Sequence, residues 1–414
     1  MFSSRVPAAR TVNRLSRTHA RLRAQGGDVI DLSESNPTRV GLHYPPDLLD
    51  CLGSSAALRY DPSPSGLPAA RQAVASWLSR LPRVRRSPAA TASGEGADPG
   101  RVSGPRPVDP GRIALTASTS EAYACLFKLL CDPGDSVLVP QPSYPLLEHL
   151  ARFEGVKPVP YRLVYHGAWR IDLPALREAT GQRARAIIVV NPNNPTGSFL
   201  APDDFESLTS LCRERGLRLI VDEVFNPYPI DPFPGRSRSV LERPADVLTF
   251  VLGGLSKAVG LPQVKLGWIA VDGPGGEVDP ALDALDLILD TYLSVSTPVQ
   301  LAAERLLTAG ASVREQIRAR IAANHRTLVR LVAEHPAAGL LRTEGGWYAV
   351  VQVPATKSEE ALALELLEQD HVLVHPGYFF DFPREAFLVM SLLPEPERFA
   401  AAIQRVLARA AGTP

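Results

Sequence analysis

The sequence predicts an α/β protein with two parts: a large domain built on a mostly parallel β-sheet covered by helices, and a smaller α+β domain. Short apolar runs alternate with longer helical segments between residues 113 and 260, a pattern typical of parallel strands buried on both faces. After residue 297 a long helical stretch is followed by alternating strands and further helices. A chain of 414 residues with 45% hydrophobic side chains can form a large core and more than one domain.

Charge and composition exclude several classes of protein. The 44 Lys and Arg residues balance the 44 Asp and Glu residues, so we expect no binding surface for nucleic acids or anionic membranes. No apolar run reaches the length that a membrane-spanning helix needs. Four cysteines are scattered without the spacing of a metal site: Cys51, Cys125, Cys131 and Cys212. We therefore expect no metal, and reduced thiols in a cytoplasmic protein.

The basic N-terminus favours an arm helix. Arginines occur at positions 5, 10, 14, 17, 21 and 23, and the first acidic residue is Asp28. Organellar transit peptides have a similar composition, but this stretch continues without a break into Val29-Ile30-Asp31-Leu32.

Three parts of the chain follow from these patterns. We assign residues 1–45 to the N-terminal arm and part of the small domain, 46–296 to the large domain and 297–414 to the C-terminal small domain. Residues 83–111 are rich in Pro, Gly, Ser, Ala and Arg. We predict that they form a flexible insertion, because they bury too little apolar surface to offset the entropy of ordering.

The predicted strands of the large domain lead into polar residues. These strands span 113–115, 136–139, 186–190, 217–221 and 247–252. Polar sets directly follow four apolar runs, at 116–121, 191–197, 222–225 and 256–257. Ligands of parallel sheets gather at the carboxyl ends of the strands, so the sequence predicts a functional site at this edge.

Three of these sets suggest specific chemistry. Lys257 follows a buried strand among apolar neighbours, and desolvation would lower the pKa of its amine and make it a nucleophile; the alternative is a solvated surface lysine. Asp222 ends a buried strand, where a carboxylate needs a cation such as a protonated ring nitrogen. Ser118, Thr119 and Ser120 open a helix and suit a phosphate group, although plain helix capping explains them equally well.

Two further residues complete the set. Asn194 lies between prolines and is either a hydrogen-bonding group of fixed geometry or a turn former. Tyr144 is placed either to stack on a flat ring or to pack in the core. An amine nucleophile, a phosphate site, a carboxylate for a ring nitrogen and an aromatic side chain together describe a site for pyridoxal 5′-phosphate.

Six motifs in order carry a resemblance to a known family. They are Asn36-Pro37, Tyr60 with Gly66, Asn194-Pro195-Thr196-Gly197, Asp222-Glu223, Ser256-Lys257 and Gly345-Gly346. Over nearly its whole length the chain resembles the class I and II aminotransferases of fold type I. Each motif is weak alone, and their common order makes the resemblance specific.

The resemblance implies a role for each of these residues. Lys257 would form an imine with the cofactor and shuttle a proton between the substrate Cα and the cofactor. Asp222 would hold the pyridine nitrogen protonated, Asn194 would bond the ring oxygen and Tyr144 would stack on the ring. The resemblance implies a phosphate site made by Ser118, Thr119, Ser120 and Ser256. Tyr60 would reach the phosphate of a neighbouring subunit, which implies a homodimer.

Three positions depart from the family pattern. Lys265 stands where the family has an arginine, which keeps the charge without the bidentate geometry. Phe225 replaces a tyrosine that donates to the ring oxygen, so we expect a raised imine pKa. Val389 occupies the position of the arginine that binds the substrate carboxylate.

The third departure leaves substrate binding open. Either another residue binds the carboxylate, with Ser35, Arg39 and Arg384 as candidates, or the substrate is not an ordinary α-amino acid. The leading hypothesis is an aminotransferase that moves an amino group from an amino acid to a 2-oxo acid or related carbonyl compound. The alternatives are a lyase, cyclase or decarboxylase with the same cofactor, or a non-catalytic binding protein with a relic site.

Overall fold

The computed structural model describes residues 2–7, 12–81, 106–232, 236 and 239–412. The predicted insertion at 83–111 lies outside the described residues up to position 105, as does Arg10. The described helices are α1 (Arg14–Ala24), α2 (Pro68–Ser79), α3 (Thr119–Leu130), α4 (Leu146–Phe153), α5 (Leu173–Ala179), α6 (Pro202–Arg215), α7 (Leu255–Ala258), α8 (Gly275–Asp290), α9 (Thr297–Ala309), α10 (Ala311–Ala333), α11 (Glu359–Gln369) and α12 (Pro396–Ala410).

The strands form two main sheets and one short pair. They are β1 (Ile30–Asp31), β2 (Ile113–Thr116), β3 (Ser136–Gln141), β4 (Lys157–Tyr165), β5 (Trp169–Ile171), β6 (Ala184–Val190), β7 (Arg218–Asp222), β8 (Thr249–Gly254), β9 (Gly267–Asp272), β10 (Gly339–Leu340), β11 (Tyr348–Gln352), β12 (Val372–Leu373), β13 (His375–Pro376) and β14 (Phe387–Ser391).

The large sheet has the order β2-β9-β8-β7-β6-β3-β4-β5 in the described part of the chain. Strands β4, β3, β6, β7 and β8 are mutually parallel, and β9 and β5 run antiparallel to their neighbours. Because β2 is antiparallel to β9, it points the same way as β8. The sheet is therefore mostly parallel, as predicted, and β2, β3, β6, β7 and β8 all end at one edge.

Both faces of the large sheet are buried. Along β7 and β8, Leu219, Val221 and Val251 contribute to one hydrophobic cluster, whereas Ile220 and Phe250 contribute to the other. This alternation follows from the two-residue period of a strand. Continuous apolar runs in the sequence thus correspond to strands covered on both sides.

The C-terminal part has its own antiparallel sheet, with the order β10-β11-β14-β13. The N-terminal strand β1 pairs with β12, so residues near position 30 lie with this C-terminal part. The described chain shows no helix long and apolar enough to cross a membrane. The domain boundaries at 45 and 296 stay a prediction.

The structure differs in detail from the predicted strand 247–252 and the residues after it. Lys257 lies in the short helix α7, formed by residues 255–258. The two glycines at 253 and 254 do not end the strand but belong to β8. A Cβ atom on Gly253 would lie 2.5 Å from the indole nitrogen of Trp268, so glycine allows the tryptophan to pack against the strand.

The end of the predicted insertion is tied to the large sheet. Arg106 makes two hydrogen bonds of 2.6 and 3.0 Å to the carboxylate of Asp272, and Arg112 adds one of 3.1 Å. The backbone N–H of Val108 donates to Ser79 at 3.0 Å. Residues 106–112 are therefore anchored next to β9.

Candidate active site

The predicted functional residues follow strands that end at the same edge of the large sheet. Tyr144 comes after β3, Asn194 after β6 and Lys257 after β8, and Asp222 is the last residue of β7. Helix α3 begins three residues after β2. The prediction that these sets meet at one edge agrees with the strand directions.

Lys257 is largely buried beside aromatic rings. Its Nζ atom lies 4.6 Å from the ring centre of Trp347 and 5.5 Å from that of Phe225. Its backbone carbonyl accepts a hydrogen bond from the hydroxyl of Tyr228. Burial lowers the pKa of Lys257 to about 8, although the nearby Asp222 opposes the shift. A neutral, nucleophilic amine is therefore accessible near neutral pH.

Asp222 is held by two donors at the end of β7. Its carboxylate accepts hydrogen bonds of 3.1 Å from the hydroxyl of Tyr123 and from the backbone N–H of Val224. Burial raises the pKa of Asp222 to about 6, while the two donors and Lys257 act in the opposite direction. The carboxylate is thus mainly ionised at pH 7 and suited to a protonated ring nitrogen.

The start of helix α3 offers free backbone donors. The N–H groups of the first helical residues, Thr119 and Ser120, have no partner inside the helix. Ser118 is the N-cap, and its hydroxyl oxygen accepts a hydrogen bond of 3.2 Å from the N–H of Glu121. The capping interpretation therefore holds for Ser118, which does not prevent its hydroxyl from donating elsewhere.

Gly267 lies in the sheet between β2, which precedes helix α3, and β8, which precedes Lys257. It pairs with Thr116 of β2 on one side and with Gly254 of β8 on the other. A Cβ atom on Gly267 would lie 3.1 Å from the N atom of Thr119, so the backbone approaches the helix closely. Ser256 follows Gly254 by two residues, in the short helix α7.

The remaining predicted cofactor residues differ in their exposure. Lys265 is exposed and has a positive φ of 64°. Phe225 is buried and contacts Trp347 edge-on at 5.4 Å between ring centres. Tyr144 is 47% exposed and Tyr60 is 70% exposed. Within this protomer Tyr60 contributes to a groove near the start of α9.

Asn194 has hydrogen-bonding capacity left over. It is buried, and its side-chain oxygen has no partner among the described residues. Together with the buried amine of Lys257, the carboxylate of Asp222 and the free N–H groups of α3, the side-chain amide of Asn194, whose NH2 group is the donor that a ring oxygen requires, fits pyridoxal phosphate. In contrast, the described ranges contain no group of three His, Cys, Asp or Glu residues able to hold a metal ion.

The predicted substrate residues lie near the C-terminal sheet or on the surface. Burial raises the pKa of Tyr348, with a hydrogen bond from Ser35 opposing this shift, so Ser35 contacts β11. Arg39 and Arg384 are exposed, and the guanidinium of Arg384 lies 5.3 Å from the ring centre of Phe387.

Val389 is fully buried within β14. It pairs directly with Val350 and with His375. Burial lowers the pKa of His375, and its Nδ1 atom is buried without a partner in the described structure. Position 389 thus supplies no cation, and the polar group beside it is an imidazole.

Sequence reasoning missed Tyr123, Trp347 and Tyr348. Tyr123 lies inside an amphipathic helix, where an aromatic residue is typical of core packing. Trp347 and Tyr348 follow the Gly345-Gly346 motif directly. That proximity was the available signal, but their contacts with Lys257, Phe225 and Ser35 depend on how the two parts of the chain pack.

Comparisons with known proteins identify the family and the fold of the chain. The family described as aminotransferase class I and II matches residues 28–406. The alanine aminotransferase of Mycobacterium bovis is 27% identical over 397 residues, covering 94% of this chain and 86% of the relative. The glutamate-pyruvate aminotransferase AlaA of Escherichia coli K12 is 24% identical over 370 residues, covering 88% of this chain and 85% of the relative.

Solved structures share the fold. An alanine aminotransferase from Pyrococcus furiosus superposes with a TM-score of 0.84 at 24% identity, and all of both chains is covered. A single mutant of the Thermus thermophilus aspartate aminotransferase gives 0.80 at 23% identity, with 99% of each chain covered. The predicted fold of type I is therefore confirmed.

Proposed function

Because the chain belongs to the family of class I and II aminotransferases, we propose that it transfers amino groups with pyridoxal 5′-phosphate bound at Lys257. The transaminase activity follows from the family. The cofactor, the residue roles, the substrates and the assembly are the proposal. The observation that carries it is the buried amine of Lys257, whose pKa is lowered to about 8 next to the carboxylate of Asp222.

Five side chains have a defined task in this proposal: those of Lys257, Asp222, Tyr123, Asn194 and Tyr144. When bound, the cofactor supplies a carbonyl carbon for the amine and a ring that withdraws electrons from the substrate Cα. Asp222 keeps the ring nitrogen protonated, and Tyr123 keeps Asp222 ionised and oriented. The amine of Lys257 would take the proton from the substrate Cα and return it to the C4′ carbon of the cofactor. Asn194 would donate to the ring oxygen, and Tyr144 would cover the ring.

The phosphate is held at the start of helix α3. The N–H groups and hydroxyls of Thr119 and Ser120 would donate to the phosphate, with Ser118 and Ser256 as further hydroxyl donors. The helix dipole favours negative charge at this end. Lys265 adds a positive charge from an exposed position, without the bidentate hydrogen bonds of an arginine.

We propose alanine or glutamate as the amino donor and a 2-oxo acid such as pyruvate as the acceptor. The names of the relatives support this choice, since they are alanine and glutamate-pyruvate aminotransferases. With the apolar Val389 in β14, the carboxylate has to be bound by other groups. Ser35, Arg39 and Arg384 are the proposed ones.

We also propose a homodimer in the cytoplasm. Several large apolar side chains are exposed around the Tyr60 loop and helices α8 and α9: Leu49, Leu58, Tyr60, Leu287, Tyr292 and Leu301. Such a patch is typical of a protein interface, and here Tyr60 would extend into the partner's site. The free state of all four cysteines supports a reducing compartment.

The test is an absorbance spectrum of the purified protein with a panel of amino acids. The wild type should show a cofactor band that Lys257→Ala cannot form in the same way, and the donor should convert it to the amine form of the cofactor. A band that persists while another product is released favours a lyase, cyclase or decarboxylase. The absence of any band after adding cofactor contradicts the site.

A further inference from the structure

Trp347 is a buried aromatic residue in direct contact with Lys257. It is fully buried, and its ring centre lies 4.6 Å from the Nζ atom of Lys257. Phe225 and Tyr228 pack edge-on against it, with 5.4 and 5.1 Å between ring centres. Its backbone carbonyl accepts a hydrogen bond of 2.8 Å from Leu392. These contacts hold the indole in one position at the reacting amine.

The indole N–H lacks a hydrogen-bond partner. The Nε1 atom of Trp347 is buried and unpaired within the described residues. A tryptophan nitrogen can only donate, and buried polar groups of native proteins are almost always paired. Since the ring borders Lys257, the missing acceptor is expected on a group that binds there.

The aromatic side chains packed against the indole offer no free hydroxyl donor. Phe225 has no hydroxyl group, and the hydroxyl of Tyr228 already donates to the carbonyl of Lys257. Both groups expected at Lys257, the cofactor and an amino acid, carry an anionic oxygen, and a charged acceptor makes the stronger hydrogen bond.

We propose that Trp347 is a binding residue whose indole N–H donates to an anionic oxygen of the group bound at Lys257. That oxygen belongs either to the cofactor ring or to the substrate carboxylate. The inference rests on the proposed function, and it adds a donor that none of the sequence motifs contains.

The experiment compares Trp347→Phe with Trp169→Phe. Phenylalanine keeps an aromatic face at position 347 and removes the N–H. Trp169 is the matched control, because its Nε1 atom is also buried and unpaired while its ring packs against Tyr165 and Phe382. Thermal unfolding of both variants reports whether they fold.

Two binding constants distinguish the sources of the oxygen. The first is the dissociation constant of pyridoxal phosphate from the protein freed of cofactor. The second is the dissociation constant of the 2-methyl analogue of the active amino acid, measured by absorbance beside the matching amine without a carboxylate. Trp347→Phe should raise one of them about 10- to 100-fold, as expected for losing a hydrogen bond to a charged group. A change in the first identifies the ring oxygen, and a change confined to the carboxylate compound identifies the substrate.

The outcomes separate this inference from the proposed function. If the wild type turns over an amino acid while Trp347→Phe binds both ligands within twofold of it, the inference is wrong and the function stands. Equal losses in Trp169→Phe also contradict it. If the wild type binds no cofactor at Lys257, both proposals fail. Trp347→His restores a ring N–H and should recover part of the loss; a loss as large as in Trp347→Phe counts against the role of the N–H.

Discussion

At the scale of single residues, burial moves the pKa values of Lys257 and Asp222 towards each other. It lowers the pKa of Lys257 to about 8 and raises that of Asp222 to about 6. Both shifts have the same first cause, because a charged group loses hydration when it is buried. Their mutual attraction and the donors on Asp222 limit the shifts. Near pH 7 the site therefore holds an ionised carboxylate and an amine that deprotonates readily.

Tyr123→Phe should weaken cofactor binding most at low pH. Without the hydroxyl donor, the pKa of Asp222 rises further, so less carboxylate is ionised to hold a protonated ring nitrogen. We expect the affinity for pyridoxal phosphate to fall about 3- to 10-fold near pH 6, the worth of one hydrogen bond, and less at pH 8. Equilibrium titrations from pH 5.5 to 8 measure this.

The control for Tyr123→Phe is Tyr161→Phe. Tyr161 is also a buried tyrosine, but its hydroxyl donates to the carbonyl of Ile188 in β6. Its loss should leave the pH dependence of cofactor binding unchanged. Parallel pH curves for Tyr123→Phe and the wild type would contradict the positioning role.

Phe225→Tyr should lower the pH at which the bound cofactor changes its absorbance. A hydroxyl near the ring oxygen stabilises that oxygen as an anion and weakens its hold on the proton of the Lys257 linkage. We expect a downward shift of about one pH unit or less in a spectral titration, relative to the wild type. A wild-type transition well below neutral pH would show that Phe225 has no such effect. Because Phe225 is tightly packed, thermal unfolding should accompany the titration.

At the scale of secondary structure, helix α3 combines a cap with the proposed phosphate site. Ser118 caps the helix through the N–H of Glu121, whose carboxylate in turn accepts the N–H of Ala117 at 2.6 Å. The next two residues leave their N–H groups free. The N-terminus of α3 is thus stabilised by its cap, and the N–H groups that remain free could bind a phosphate group.

Ser118→Ala and Ser120→Ala should separate these two tasks. Loss of the cap costs about 1 kcal/mol of stability, so Ser118→Ala should unfold at a lower temperature even without cofactor. Ser120→Ala should leave the unfolding of the cofactor-free protein unchanged and weaken only the binding of pyridoxal phosphate. Equal thermal stability of the two cofactor-free variants would contradict the capping role.

At the scale of the whole molecule, the site lies where two parts of the chain meet. Phe225 and Lys257 follow strands β7 and β8 of the large sheet, whereas Trp347 and Tyr348 lie at the start of β11 in the C-terminal sheet. The exposed side chains of Leu58 and Leu287, at 90% and 73%, belong to the patch that we assign to a second copy of the chain. A dimer would cover this patch and bring a second Tyr60 to each site.

Mixing Tyr60→Ala with Lys257→Ala tests the shared site. If Tyr60 serves the partner's site, each mixed dimer has one site with both residues intact. Random pairing in a twofold dimer then recovers about a quarter of the wild-type sites, whereas each variant alone has little activity. No recovery after subunit exchange would show that Tyr60 acts within its own protomer or not at all.

The sequence by itself determined that the sheet is mostly parallel and located five of its eight described strands: β2, β3, β6, β7 and β8. The predicted helical stretch from 297 divides into α9 and α10 at Gly310. A Cβ atom on Gly310 would lie 2.7 Å from the carbonyl oxygen of Leu306. Lys257, Asp222, Asn194 and Ser118 could be singled out because strand ends and helix starts are local features of the chain.

Only the tertiary structure decided which side chains surround these groups. Tyr123, within a helix, reaches Asp222 ninety-nine positions away. Trp347 meets Lys257 across the two sheets, and Ser35 meets Tyr348 through the pairing of β1 with the C-terminal part. The pKa shifts of Lys257 and Asp222 likewise depend on this packing. Contacts between distant segments follow from how whole surfaces fit together, and no local pattern of residues records that fit.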